Sequence, residues 1–63
     1  MRILGIDFGE ARIGVAVSDP LGITAQALET IHWKGEWKKP LQRIQELVNF
    51  YSCNTLVVGF PEN

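Results

Sequence analysis

The sequence predicts an α/β fold, a mixed sheet built in the order β-β-β-α-β, and three observations carry that prediction. Two strand-like runs near the start are separated by a short glycine turn. One apolar stripe of helical spacing follows. A last short apolar run ends at Gly59-Phe60-Pro61.

The first run covers residues 2–7. Ile3, Leu4 and Ile6 make it apolar on both faces, the pattern of a central strand covered on each side. Asp7 ends it and Gly9 marks a turn. Residues 12–18 alternate, with Ile13, Val15 and Val17 on one face and Arg12, Gly14, Ala16 and Ser18 on the other. The short connection makes these two strands an antiparallel hairpin. Asp19-Pro20 and Gly22 supply a second turn. Residues 23–31 are predicted as a third strand, although their alternation is weak.

Trp37, Leu41, Ile44, Val48 and Tyr51 then recur at spacings of four and three, a single helical stripe with Leu47 beside it. Pro40 suits the first turn of a helix and not its middle, so the helix is predicted over residues 40–51. Residues 54–59 form a fourth strand around Leu56, Val57 and Val58. A helical crossover puts this strand parallel to an earlier one, and the doubly apolar first strand is its natural neighbour. The fourth strand is then a bare apolar edge. Such edges are normally paired or covered, so the sequence predicts residues 1–63 to be part of one domain whose C-terminal half lies elsewhere.

Composition narrows the function. At 63 residues, a chain buries only about 60% of the surface that its unfolded form exposes, so its stability is marginal. Cys53 is the only cysteine and His32 the only histidine, which excludes an internal disulfide and a zinc-type cluster. The formal net charge is −1, so no general basic excess holds nucleic acid. No apolar stretch reaches membrane-spanning length and the start lacks a signal-peptide pattern. A reduced, cytoplasmic protein is the expectation.

The segment Gly5-Ile6-Asp7-Phe8-Gly9-Glu10-Ala11-Arg12-Ile13-Gly14-Val15-Ala16-Val17-Ser18-Asp19 closely resembles the opening of the YqgF family of Holliday junction resolvases and pre-ribosomal-RNA nucleases. Val57-Val58-Gly59-Phe60-Pro61-Glu62-Asn63 resembles a later motif of the same family, with Phe60 in place of the usual leucine. The resemblance covers the whole chain and about the first half of a typical member. It implies an incomplete ribonuclease-H-like fold and metal-assisted phosphodiester hydrolysis on RNA or branched DNA. It implies Mg²⁺ or Mn²⁺ as cofactor.

Within that resemblance Asp7 is the expected catalytic residue and metal ligand. Chemistry of this kind needs several carboxylates around one or two ions, and Mg²⁺ takes oxygen ligands. The alternative is that Asp7 only caps the hairpin. The family's further acids lie in its second half, so this chain alone is expected to be inactive. Glu10 is read as a solvated loop residue, and Glu62 as a weak candidate ligand. Arg12 is a candidate substrate-binding residue, because its forked donors suit phosphate oxygens. An ion pair with Glu10 or Asp19 is the competing reading. Asn63 is a second candidate for contact with substrate. Asp19 reads as a turn residue and Cys53 as a small core residue. Lys34, Lys38, Lys39 and Arg43 gather near the helix start, interleaved with Trp33 and Trp37. They either touch nucleic acid by charge and stacking or form an ordinary solvated face with Trp37 in the core.

Two other functions fit the pattern less closely. An actin-like nucleotide-binding fold shares the opening strand pair, but no hydroxyl lies between Gly9 and Gly14. A non-catalytic module could instead form a homodimer through the exposed fourth strand.

Overall fold

The structure, a computed structural model, describes residues 2–33 and 35–60. Its elements are β1 (Ile3–Phe8), β2 (Arg12–Ser18), β3 (Ala25–His32), α1 (Lys38–Tyr51) and β4 (Thr55–Gly59). They form one four-stranded sheet in the order β3-β2-β1-β4. The hairpin pairs β1 and β2 antiparallel, and α1 crosses over to set β4 parallel to β1. This is the predicted element order, and β4 is the edge strand.

The core lies on one side of the sheet. Leu4 and Ile6 of β1, Ile13, Val15 and Val17 of β2, and Ile44 and Leu47 of α1 are buried together. Phe8, Leu28, Ile31, Trp33, Val48, Tyr51 and Cys53 pack around them. Cys53 therefore serves as the small core residue its position suggested. The opposite face is uncovered among the described residues, a correction to the expectation that β1 is enclosed on both sides. That face is paved with small side chains, namely Gly5, Gly14, Ala16 and Ala27. It forms an open trough of about 600 Å³.

β3 runs from Ala25 to His32 and not from residue 23. Ile23 is held in the preceding turn, where its N–H donates to Asp19 Oδ1 at 2.7 Å. Thr24 N–H donates to the same oxygen at 3.3 Å. The weak alternation of β3 has a cause. Val15 pairs with Glu29 but Ala16 pairs with Ala27, so Leu28 is an extra residue in a β-bulge. The bulge shifts the parity of the strand. It lets Ile31 share the helix side with Ile13, while Glu29 reaches Arg43 of α1 at 2.7 Å.

The helix begins at Lys38, two residues before the predicted start. Pro40 is its third residue, where the missing N–H is one of the four a helix leaves unpaired anyway. Trp37 occupies the N-cap and is 44% exposed, so it is not a buried member of the stripe. Pro40, Ile44 and Leu47 make the buried face. Leu41 lies about 100° round the helix from Pro40 and is exposed. At the C-terminus, Ser52 adopts a left-handed conformation with φ 54°. There Ser52 N–H donates to Asn49 O and Cys53 N–H to Val48 O. Arg2 closes the same end by donating from Nη1 to Tyr51 O at 3.3 Å.

Candidate active site

Asp7 is the penultimate residue of β1, paired with Gly14 of β2 on one side and Gly59 of β4 on the other. Strand alternation puts its side chain on the uncovered face with Gly5, while Leu4 and Ile6 enter the core. The carboxylate is exposed and accepts no hydrogen bond among the described residues. Its lone pairs are therefore open at the rim of the trough.

Both neighbours are glycines, and each leaves space. A Cβ built on Gly14 would lie 3.8 Å from Asp7 Cβ. One built on Gly59 would lie 4.0 Å from Asp7 Oδ1 and 3.9 Å from Ile6 O. Larger side chains at either position would close over the carboxylate. An exposed carboxylate with clear space on both sides suits a hydrated Mg²⁺ or Mn²⁺, which takes one or two protein carboxylates and keeps several waters.

The hairpin loop that follows is tight. Gly9 N–H donates to Arg12 O at 2.7 Å, and Trp33 N–H donates to Ala11 O at 3.2 Å, which ties the loop to the end of β3. Glu10 is exposed on this loop. Arg12 opens β2 on the same face as Asp7, diagonally across the pair. Diagonal neighbours of this kind are about 7–8 Å apart, within reach of an arginine. Among the described residues only Arg43 forms ion pairs, with Glu29 and Glu46. Arg12 pairs with neither Glu10 nor Asp19 among the described residues. Asp19 is occupied in its turn at the far end of β2, as its sequence context predicted.

Among the described residues no three His, Cys, Asp or Glu side chains gather at one point. Glu29 borders the trough, but its carboxylate is bound to Arg43. That guanidinium holds Glu29 below the usual carboxylate range. Glu62 and Asn63, the other residues weighed for the site, lie outside the described residues.

Sequence reasoning did not anticipate an aromatic row at the same end of the sheet. Trp33 and Trp37 have ring centroids 4.4 Å apart, Trp37 and Phe8 5.5 Å, and Phe8 and Phe60 5.3 Å with planes only 12° apart. The interleaved tryptophans were its only sign in the sequence. Phe8 and Phe60 meet through the parallel register of β1 with β4.

The RuvX family, described as Holliday junction resolvase, matches residues 1–63. The chain belongs to this family. Curated relatives named "Putative pre-16S rRNA nuclease" match it along its whole length. The protein from Acetivibrio thermocellus is 62% identical over 63 residues, which are 45% of that protein. The one from Ruminiclostridium cellulolyticum is 56% identical over 44% of its length. The one from Pelotomaculum thermopropionicum is 51% identical over 41%. This RuvX-family chain thus spans less than half the length of these relatives. No helix among its described residues is long and apolar enough to cross a membrane.

Proposed function

We propose that this chain carries the first carboxylate of a metal-dependent endonuclease that acts on structured nucleic acid, the 5′ region of precursor ribosomal RNA or a branched DNA. The observation that carries the reading is Asp7. Its carboxylate is unpaired, exposed and flanked by Gly14 and Gly59 near the end of the central strand. The family membership and the names of the relatives agree with it.

In this reading Asp7 holds Mg²⁺ or Mn²⁺ by its carboxylate. A divalent ion held there would supply Lewis-acid chemistry, polarising the phosphate and activating a water. Arg12, on the same face, offers its forked donors to the oxygens of the scissile phosphate. Water would be split across the bond: its oxygen bonds to phosphorus as one P–O bond breaks, and one of its protons ends on the leaving oxygen. Asn63 stands as a further substrate contact. One carboxylate does not complete such a site, so the 63-residue chain alone is inactive in this reading. The reduced cytoplasm is its compartment, in keeping with a single thiol, Cys53.

The test is a cleavage assay on a precursor ribosomal RNA and on a four-way DNA junction. It uses this chain alone and fused to the remaining length of the Acetivibrio thermocellus relative. Mg²⁺-dependent cleavage by the fusion, lost in Asp7→Asn, supports the proposal. Cleavage by the fusion that survives Asp7→Asn sinks it.

A second reading rests on β4. This edge strand exposes Leu56, Val57 and Val58 by about half, and pairing with a second copy would cover them. Light scattering across a concentration series tests this pairing. A monomer at every concentration removes self-pairing.

A further inference from the structure

The row of four rings has chemistry that the carboxylate does not use. Phe60 stacks one face on Phe8 and is still 73% exposed, and among the described residues nothing stacks on its other face. Trp37 packs between Phe8 and Trp33 and remains partly exposed. Burial in the core does not account for the exposed parts of these two rings. The next residues along the chain are Lys38 and Lys39, both exposed and without an ion pair among the described residues. Phe8 directly follows Asp7, and Phe60 directly follows Gly59, the register partner of Asp7. Planar rings beside unpaired ammonium groups, at the same sheet end as the proposed phosphodiester site, match a nucleic acid strand with exposed bases.

We propose that Phe60 and Trp37 form a stacking platform for unpaired bases next to the scissile phosphate, and that Lys38 and Lys39 meet the flanking backbone. The proposal rests on the nuclease reading and deepens it, because it assigns a preference for single-stranded sequence beside the cut. Asp7 and Phe8 point to opposite faces of the sheet, so a strand passing around the end of β1 reaches both. Bases stack on aromatic side chains without regard to sequence. The lysine contribution weakens with salt, and the stacking contribution is the part that remains.

The experiment uses the whole chain in metal-free buffer with a fluorescein-labelled decauridylate. Anisotropy reports binding and the emission of Trp33 and Trp37 reports stacking. The expected result is tryptophan quenching that persists at raised salt. Phe60→Leu, which installs the residue usual in the family, and Trp37→Leu should each weaken binding by about five-fold or more. Circular dichroism checks that both variants keep the fold. A duplex of the same length should quench less than the single strand. Absence of quenching, equal quenching by the duplex, or unchanged affinity in a folded Phe60→Leu variant would overturn the proposal. So would tryptophan emission that changes on dilution without oligonucleotide, since a second copy would then occupy the platform. Quenching requires neither metal nor Asp7, so its failure leaves the nuclease reading standing, and a failed cleavage assay is seen independently of it.

Discussion

Asp7 and Gly59 are register partners across the parallel β1–β4 pair, and the open Cβ position of Gly59 faces Asp7 Oδ1 at 4.0 Å. The crossover helix therefore does more than add a strand. It brings a residue without a side chain beside the Asp7 carboxylate, which is unpaired among the described residues. Gly14 does the same from the antiparallel side. Two chain segments far apart in sequence thus keep the carboxylate clear.

The glycines are not equivalent. A Cβ at Gly9 would lie 3.1 Å from the backbone oxygen of Arg12, inside a loop already closed by a 2.7 Å hydrogen bond. At Gly14 the nearest atom is at ordinary contact distance. Gly9→Ala should therefore destabilise the fold by about 1–3 kcal/mol, and Gly14→Ala by less than about 1 kcal/mol. Urea denaturation of the two variants checks the order. Equal midpoints would show that the hairpin relaxes freely.

Ser52 ends α1 at φ 54°, a conformation that costs a residue with a Cβ roughly 1–2 kcal/mol. Ser52→Gly removes that cost and loosens the unfolded chain, for a net gain of about 0.5–1 kcal/mol. Its thermal midpoint should rise. Ser52→Val should lower it.

Two carboxylates among the described residues are held below their ordinary range. Partial desolvation raises the pKa of Asp19, but hydrogen bonds from backbone N–H groups, led by Ile23 and Thr24, outweigh it and hold the group below its ordinary value. Glu29 is held low chiefly by its hydrogen bonds to Arg43, whose own pKa is raised in return. A depressed carboxylate pKa stabilises the fold above the unfolded value and loses that contribution as pH falls through the folded one. Stability should thus be level at neutral pH and decline below about pH 4. Asp19→Asn keeps an acceptor at the turn and should flatten part of that decline. The check is a set of urea melts between pH 2 and 7, read against the wild type.

Much of the fold was legible because its signals are local. The period-two run of β2 matches its observed limits, Arg12–Ser18, and Ile44, Val48 and Tyr51 of the predicted helical stripe pack on the core with Leu47, although Leu41 of the same stripe is exposed. What was not legible depends on register. The extra residue at Leu28 hides the alternation of β3, because neither side of the bulge is long enough to show its own parity. Trp37 has the spacing of a core position, yet it caps the helix and its ring turns to Phe8 and Trp33. The site divides in the same way. Asp7 and Arg12 stand out by residue type and position. The space around Asp7 and the Phe8–Phe60 stack exist only once β4 docks in parallel on β1.

The most direct test of the account is a Mn²⁺ titration followed by paramagnetic broadening of backbone amide resonances, in the wild type and in Asp7→Asn. The carboxylate is exposed and unpaired, so the variant should fold with a melting midpoint close to that of the wild type. Broadening should centre on Asp7, Gly14 and Gly59 in the wild type and be lost in Asp7→Asn. Broadening centred elsewhere, or unchanged by the substitution, would contradict the assignment of Asp7 as the metal-binding carboxylate.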